Sequence, residues 1–444
     1  MPAARIASWV AQSDQTFYAR AFTPLITLWY LIFQRLNPNH TLSAVQEDAR
    51  SGGADRLSPG DKKLSKKLRS EATTSYSDAR QRLPLDFCER VLRHSATHTH
   101  NSVEVPLRFG LKLGLLDGST LRCRPFGDLS KEFPPHRPGN CKKPPYWCLA
   151  RVVGLICQAT GVVVGTALGN LHTSEQALSA QLLAQHCWAG WLLAADRNFG
   201  VYFVARALTA ASGHALLRLT EARARKLAAS AGRRLKPGLD TPIQWTPTRQ
   251  DKCPPNLEPT PVAGRLLAVR IHRRGHRSLT LYLFTTLTTA LECPADALVQ
   301  VYAVRWEVEV CFRYIKAQME LGFLECHSAN MLRKEWLAGL IAYNLIRWLM
   351  SAAAAVAKIP VRWLSFSRAR ELLLGWCLRH ANRSNRSGNW QHLLERIAKA
   401  RLPQRTKARP AEPRALRHLA VQVPKLEGSR AAARKVMAQN RSKS

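Results

Sequence analysis

The sequence predicts an α/β protein, in which a core of strands and helices carries a β-rich insertion and is flanked by helical regions. Three observations predict this fold class. Short β-branched runs bounded by turn residues alternate with helical patterns in residues 106–222. Residues 223–287 differ in composition: they are rich in Pro, Gly and Arg and end in two further strand-like runs. Strong helical periodicity then returns at 296–320 and 335–357.

Within the first part of the core, the order of elements is strand, hairpin, helix, strand, helix, strand. The first strand runs into a turn, and Thr173 or Ser174 opens the first helix with a capping pattern. The assignments in chain order are 111–123, 150–160, 161–170, 173–187, 191–196, 199–211 and 214–220. Five strands surrounded by helices predict a layered α/β domain, and this arrangement resembles the ribonuclease-H-like fold.

The charge of the chain predicts a polyanionic partner. The sequence has 66 Lys and Arg against 30 Asp and Glu, a net charge of +36. Self-repulsion makes such an excess costly, and binding to DNA or RNA offsets it. An Arg-rich bias of a whole bacterial proteome is the alternative. Residues 223–287 hold 13 basic and 3 acidic residues. The tail from Arg401 holds 12 basic and 2 acidic residues, so we predict that it is a flexible arm contacting DNA.

The length of 444 residues favours two to four domains. Residues 1–105 read as helices with polar breaks, and we predict that they bind DNA ends. The predicted segments are 1–105 (helical), 106–222 (first part of the core), 223–287 (basic β-rich insertion), 288–360 (second part of the core) and 361–444 (helical region and basic tail).

Cysteine usage and hydropathy predict a cytoplasmic protein without a membrane span. The 11 cysteines form no CxxC pair, which favours free thiols in a reducing compartment over a zinc ribbon. No secretory signal is expected. Residues 337–357 are long and apolar enough to span a bilayer, but Asn344 and Arg347 interrupt them, so we predict a buried core helix.

Two aspartates follow apolar runs that are predicted to be strands. Asp117 ends LKLGLL, and Asp196 ends WLLAA. An acid at the end of a buried strand costs desolvation unless a metal ion or partner offsets it. Carboxylates with water and phosphate suit Mg²⁺, so two such acids at one sheet edge could form a metal site. Taken singly, each acid is better explained as part of a turn, since DGS and DRNFG are turn-like sequences.

A third acid lies on the predicted helix at 296–320. At about 100° per residue, Tyr302, Arg305, Glu309 and Lys316 share an arc beside an apolar stripe. Such a row suits phosphate binding around a metal ligand, whereas an ordinary Arg305–Glu309 ion pair is the alternative. Glu307 lies two residues before Glu309, about 200° around the helix, so helical phase selects Glu309 as the ligand.

These residues resemble a known signature. Tyr302, Arg305, Glu309 and Lys316 match the Y-(2)-R-(3)-E-(6)-K pattern of the insertion-sequence-4 family of bacterial transposases. The blocks LLDGSTLR, LLAADRNFG and LECHSANMLRKEWLAGLIAYNLIR are similar to three further blocks of that family. The resemblance covers about residues 111–348. Asn198 stands where the family usually has Gly, which leaves the neighbouring acid intact.

The resemblance implies a DDE-type transposase with a ribonuclease-H-like core and a β-rich insertion before the glutamate. It implies that Asp117, Asp196 and Glu309 hold two Mg²⁺ or Mn²⁺ ions. Because Tyr302, Arg305 and Lys316 share the helix face of Glu309, we also predict that they contact DNA phosphates. Cut-and-paste transposition follows, with cleavage at the terminal inverted repeats, a hairpin intermediate and strand transfer into target DNA. Because two element ends must meet, a homodimer is expected.

A hairpin intermediate needs a sharply bent DNA end, and an aromatic ring can hold a flipped base. Trp245 is the only Trp between 223 and 287 and is therefore the candidate; the alternative is a core Trp of a small β domain.

Two rival functions fit part of the same residue pattern. A ribonuclease-H-like nuclease would use the same three acids without strand transfer, and a transposase-derived protein could bind DNA without catalysis.

Overall fold

The computed structural model describes residues 3–12, 21–58, 62–135, 147–249, 251, 253–254, 257–272, 278–380 and 387–403, with single positions between 429 and 439. Residues 1–403 form one compact unit, and residues 404–444 form a second. The predicted DNA-contacting arm therefore lies almost entirely outside the described residues. The first 403 residues share one compact body, so the predicted segments within them are parts of a single unit.

Among the described residues, helices dominate both ends of the first unit. The helices are α1 (Ala3–Ala11), α2 (Pro24–Leu36), α3 (Leu42–Arg50), α4 (Leu64–Lys67), α5 (Thr74–Arg82), α6 (Leu85–Ser102), α7 (Leu129–Glu132), α8 (Glu175–Ala184), α9 (Tyr202–Ala210), α10 (Glu221–Ser230), α11 (Ala295–Ala303), α12 (Glu307–Arg313), α13 (Ala329–Ala357), α14 (Phe366–His380) and α15 (Ser387–Lys399).

The strands of the described part all belong to one sheet. They are β1 (Lys112–Cys123), β2 (Cys148–Cys157), β3 (Val163–Asn170), β4 (Trp191–Ala195), β5 (His214–Arg218), β6 (Leu239–Trp245), β7 (Val262–Ile271), β8 (Leu279–Thr285) and β9 (Phe323–Leu324). The strand order is β3-β2-β1-β4-β5-β8-β7-β6, and β9 pairs with β1. The α/β class predicted from the sequence is confirmed.

The first five strands follow the predicted order. β1, β2 and β3 form an antiparallel meander, and β4 and β5 add on in parallel to β1. A parallel connection needs a crossover, which α8 and α9 provide. Ser174 caps α8 by accepting a hydrogen bond from the backbone N–H of Ala177 at 3.0 Å, as the capping pattern predicted.

The predicted insertion extends this sheet instead of forming a domain of its own. Its segment opens with α10, and its three strands follow. β8 pairs antiparallel with β5, and β7 and β6 continue outward from β8. Residues 223–287 are therefore β-rich, as expected, but their apolar side chains join the same hydrophobic layers as the core.

Helices cover both faces of the sheet. One face packs against α12, α13 and the N-terminal helices, and the other packs against α8, α9 and α10. Since side chains alternate along a strand, odd-numbered β1 residues such as Leu115 face the first layer and even-numbered ones such as Leu116 face the second. Each face of β1 is therefore buried by a different set of helices.

The long helix α13 lies in the core, as predicted for residues 337–357. It is long and apolar enough to cross a membrane by length and composition, with a mean hydropathy of 1.5, yet 67% of that window is buried within the protein. Its two interrupting polar residues have buried partners. Asn344 bonds both the N–H and the C=O of Val163 on edge strand β3, at 2.8 and 2.9 Å. Arg347 donates to the carbonyl of Thr160 at 2.9 Å.

A buried ion triad joins the N-terminal helices to α13. Glu335 accepts from Arg35 at 2.6 Å and from Arg80 through a second oxygen. All three side chains are at most 10% exposed. The two guanidinium charges lower the pKa of the Glu335 carboxyl against the opposing effect of burial.

Candidate active site

Asp117 and Asp196 stand side by side on neighbouring strands. Leu116 of β1 pairs with Ala195, the last residue of β4. Asp117 and Asp196 are the residues that follow this pair, so they lie next to each other across the two segments. Adjacent strands lie about 4.8 Å apart. By alternation, both acids belong to the face that carries Leu115 and is covered by α12 and α13.

Asp196 follows the end of its strand, as predicted, but Asp117 does not. Asp117 lies in the middle of β1, opposite Gly154 of β2, because the β2 hairpin continues to pair with β1 as far as Cys123. The turn interpretation of DGS is therefore wrong. The convergence of the two acids results from the end of β4 and not from the end of β1.

Burial defines the state of the Asp117 carboxyl. Its side chain is 19% exposed, and desolvation raises the pKa of Asp117 to about 6. A hydrogen bond from the Gly118 N–H and the charge of Arg305 lower it, whereas the charges of Asp196 and Glu309 raise it. A carboxyl placed among other carboxylates in this way favours a nearby cation.

Glu309 reaches this edge from α12, which lies on β1. Phe312 of the same helix packs over Gly154, where a Cβ atom would lie 3.1 Å from the ring. The missing side chain at Gly154 lets α12 approach the sheet beside Asp117. Glu309 is 62% exposed and faces the cleft, while Val308 is fully buried.

Glu307 points elsewhere, as its helical phase predicts. It accepts a hydrogen bond from Gln158 at 2.8 Å, and Arg362 lies 3.8 Å away. These contacts tie α12 to the turn after β2 and to the segment after α13. Glu307 therefore has a structural environment, distinct from the cleft of Glu309.

Arg305 connects the acids. Its guanidinium donates to Glu309 at 3.0 Å and lies 3.6 Å from Asp117. Its side chain is only 16% exposed, so its charge is poorly screened by solvent. Arg305 and Glu309 do form the ordinary i,i+4 ion pair that was the alternative. The same Arg305 also lies near Asp117 on the sheet.

Lys316 lies at the other end of a cleft of about 420 Å³ that is lined by Asp117, Gly118, Ser119, Glu309, Phe312, Arg313, Lys316 and Ala317. Its ammonium donates to the Ser119 hydroxyl at 3.2 Å. Residues 314–318 form a π-helical turn, a local widening that is frequent at functional sites. The cleft is thus lined by two acids, Asp117 and Glu309, and two cations, Arg313 and Lys316.

The segment around Glu309 is less regular than predicted. A 3-10 turn at 304–306 separates α11 from α12, and the π turn follows α12. These changes of pitch rotate Tyr302 out of the predicted arc. Tyr302 is 7% exposed, and burial raises the pKa of its hydroxyl next to Arg305 and Arg218. Tyr302 is therefore buried next to Arg305, a placement that does not fit the predicted direct contact with DNA.

The chemistry of the donor set fits a hard divalent cation. Oxygen ligands from a few carboxylates are what Mg²⁺ and Mn²⁺ prefer, and the half-buried Asp117 lacks full charge compensation. Among the described residues, no three His, Cys, Asp or Glu side chains are grouped closely enough to hold a metal ion as they stand. The Glu309 carboxylate accepts a hydrogen bond from Arg305.

Trp245 lies in the core, and its predicted stacking role is corrected. It is 4% exposed, and its ring meets Phe284 at 4.8 Å and Tyr202 at 6.3 Å, both in edge-to-face geometry. An indole enclosed in this way has no free face for a DNA base. The alternative of a core Trp is the observed one.

Trp245→Ala is accordingly expected to lower the free energy of unfolding by about 3–5 kcal/mol, because it leaves a cavity between two rings. Urea denaturation measures this change. The matched control is Trp306→Ala, since Trp306 is 58% exposed and its loss should cost about 0.5 kcal/mol or less. Equal stability of the two variants would restore a surface role for Trp245.

Two residues that support Asp196 were not identified from the sequence. The backbone N–H of Asn198 donates to the Asp196 carboxylate at 2.9 Å, and its side chain donates to Glu175 at 2.7 Å. Glu175 begins α8 on the opposite face of the sheet and lies over Gly118, where a Cβ atom would be 2.3 Å away. The unusual Asn at 198 was the available signal for Glu175, because its side-chain amide reaches that acid, whereas the backbone N–H that supports Asp196 would also be present with Gly.

Comparison with known proteins gives one family. Residues 108–345 match the family described as Transposase DDE domain. The chain is 27% identical over 284 residues to the transposase InsG for insertion sequence element IS4 of Escherichia coli, covering 63% of this chain and 61% of that protein. It is 29% identical over 93 residues to a probable transposase for insertion sequence element IS5377 of Geobacillus stearothermophilus, covering 20% and 25%.

The chain thus spans about three fifths of the first of these relatives and a quarter of the second. A cryo-EM structure of the piggyBac transposase synaptic complex with hairpin DNA aligns with 91% of this chain and 82% of that one, at 9% identity and a TM-score of 0.40. At that score the likeness does not establish a common fold. The resemblance to insertion-sequence-4 transposases drawn from the motifs is confirmed by the family and sequence matches.

Proposed function

This chain belongs to the Transposase DDE domain family, whose match covers more than half of it, and on that premise we propose that it is a cut-and-paste DNA transposase. One observation carries the proposal. Asp117 lies on β1 beside Asp196, which follows the neighbouring parallel strand β4, and Glu309 of the covering helix lines the same cleft as Asp117. Cleavage at terminal inverted repeats and strand transfer into target DNA are the reactions proposed.

We further propose that the core is ribonuclease-H-like. An antiparallel meander of β3, β2 and β1, extended in parallel by β4 and β5, supports this assignment. In the proposed architecture, β6, β7 and β8 are the β-rich insertion before the glutamate. The hairpin route, a homodimer that joins two ends, and a cytoplasmic location remain proposals that rest on the family.

Asp117, Asp196 and Glu309 would hold the divalent cations, two Mg²⁺ or Mn²⁺ ions. Bound there, such ions activate the attacking oxygen and stabilise the leaving oxygen at a phosphodiester. Asn198 keeps Asp196 oriented through its backbone N–H. Arg305 donates a hydrogen bond to Glu309 and lies 3.6 Å from Asp117, and it would become available for a DNA phosphate when other cations balance these acids.

Arg305→Ala should therefore have opposite effects on two bound species. We expect Mn²⁺ affinity to rise severalfold, because a cation competing for the same carboxylates is lost, and binding of element-end DNA to weaken. Electron paramagnetic resonance of free Mn²⁺ and fluorescence anisotropy measure the two affinities. Arg362→Ala is the control, since Arg362 contacts Glu307 and not the cleft. Weaker Mn²⁺ binding in Arg305→Ala would assign Arg305 a structural role in the site.

The basic excess gives a prediction for DNA binding. Each neutralised phosphate contributes about −0.9 to the slope of log affinity against log salt, so a chain with net charge +36 should show a slope several units below zero. Removing the residues after Leu402 should make that slope shallower. An unchanged slope would mean that the tail does not contact DNA.

The proposal itself is tested by incubating the purified chain with labelled DNA carrying the terminal repeats that flank its gene. A nick that leaves a 3′-hydroxyl at the repeat end, formed with Mg²⁺ and not with chelator, is expected. DNA binding without any cleavage would favour a non-catalytic DNA-binding protein derived from a transposase.

A further inference from the structure

A second cavity opens beside the cleft. It has a volume of about 780 Å³ and lies between α2 and α5 on one side and the segment from Lys316 to Glu335 on the other. Lys316 lines both this cavity and the cleft, so the two spaces meet at its side chain. The volume falls in the range of sites that enclose small-molecule-sized groups.

The charges on the cavity wall favour an anion near Lys316. The three acids there are already paired among the described residues: Glu335 with two arginines, Glu320 with His40 and Glu325 with Arg124. Lys316 and Arg122 have no acidic partner in the part of the chain that the structure describes. Two cations without a matching acid, side by side, suit a phosphate group.

A buried hydrogen-bond donor on Arg80 also favours a bound ligand in this cavity. Arg80 lines the cavity and is 8% exposed, and its Nε atom has no hydrogen-bond partner among the described residues. A buried donor without a partner costs free energy unless a bound molecule satisfies it. Arg80, whose terminal nitrogen bonds Glu335, therefore adds one unsatisfied buried donor next to the cavity.

Aromatic rings line the same cavity as these cations. Phe323 and His327 line the cavity. The Arg124 guanidinium lies 5.9 Å from the Phe323 ring centre, and Trp147, 37% exposed, meets the same ring edge-to-face at 5.0 Å. Aromatic side chains next to a basic track are the arrangement with which proteins hold unpaired nucleotides, because every base can stack.

We propose that this cavity binds one nucleotide of an unpaired DNA strand, with its phosphate at Lys316 and Arg122 and its base against Phe323 and His327. Arg122 lies five residues beyond Asp117 along β1, about 17 Å at the rise of a strand, and Lys316 lines both the cleft and the cavity. This inference rests on the proposed action on DNA and adds a subsite for unpaired strand.

The test compares two DNA probes in equilibrium binding by fluorescence anisotropy. One is a blunt duplex, and the other is the same duplex with a short single-stranded overhang, of either polarity, whose first unpaired base is 2-aminopurine. We expect the overhang to bind about fivefold more tightly or better, as for one stacked base, and its 2-aminopurine emission to fall on binding. Blunt-duplex affinity reports general DNA binding.

Phe323→Leu and Arg122→Ala should each remove the advantage of the overhang, and Phe323→Leu should also remove the quenching. Blunt-duplex affinity should stay within about twofold for Phe323→Leu, which removes no charge. His327 is exposed, and His327→Ala decides the outcome if Phe323→Leu proves unstable in thermal melting. The control is Arg368→Ala, whose exposed side chain pairs with Glu371 at 2.7 Å on α14.

Equal binding of the two probes by the unaltered chain, or an advantage that survives both variants, would overturn the inference while leaving the proposed function intact. Failure to bind either probe would instead contradict the proposed function. The affinity for the blunt duplex distinguishes the two outcomes, because it reports general DNA binding.

Discussion

Glu309→Gln is expected to abolish Mg²⁺-dependent cleavage and strand transfer while specific DNA binding persists. The substitution keeps the size of the side chain and removes the one carboxylate that α12 presents to the cleft of Asp117. Because the proposed chemistry depends on carboxylates that hold cations, we expect a fall in rate on the order of a thousandfold or more. Single-turnover cleavage of labelled end DNA measures it.

Glu307→Gln is the matched control, two residues away on the same helix. Its carboxylate bonds Gln158 and lies near Arg362, so most activity should remain, with a modest loss of stability. If Glu307→Gln were inactive and Glu309→Gln active, the orientation of α12 and the assignment of the site would both be wrong.

Glu335→Ala is expected to cause a large loss of stability. Glu335 balances two buried guanidinium groups, and removal of one partner of a buried ion pair costs about 3–5 kcal/mol because the remaining charge is left uncompensated. The N-terminal helices should separate from α13 first, since the triad joins them. Urea denaturation monitored by circular dichroism measures the change.

The control for this prediction is Glu371→Ala, an exposed glutamate that pairs with Arg368 and should cost about 1 kcal/mol at most. The pH dependence gives a second check. The pKa of Glu335 is lowered in the folded chain from its ordinary value of 4.5, so its contribution is complete above that value and is lost as pH falls through the lowered pKa. The gap between the original chain and Glu335→Ala should close only in that acidic range; a gap that closes near neutral pH would contradict the triad.

Much of the core could be predicted because local signals carry it. The apolar run before Asp196 marks β4, the capping residue Ser174 marks α8, and the breaks in the apolar pattern at Asn344 and Arg347 indicate a helix with buried polar partners. Each of these features depends on neighbours in the sequence. The family motifs connected Asp117, Asp196 and Glu309, which lie far apart in the sequence and which local patterns cannot bring together.

What the sequence did not predict depends on contacts between distant segments. Asp117 lies within β1 because β2 pairs beyond it, and residues 223–287 extend the sheet because β8 pairs with β5. Trp245 is buried by Phe284, from another strand. Tyr302 is misplaced for a different reason, since a 3-10 turn changes the helical pitch after it, and uniform periodicity assumes constant pitch.

The most direct test of the central claim isolates strand transfer from cleavage. The chain is given a pre-cleaved repeat end bearing a 3′-hydroxyl, together with a supercoiled target plasmid and Mg²⁺, and joined products are resolved on a gel. We predict covalent joining of the 3′-end to the plasmid by the unaltered chain and none by Asp117→Asn, Asp196→Asn or Glu309→Gln. Cleavage of repeat DNA with no joining under any of these conditions would make the chain a nuclease and contradict the transposase proposal.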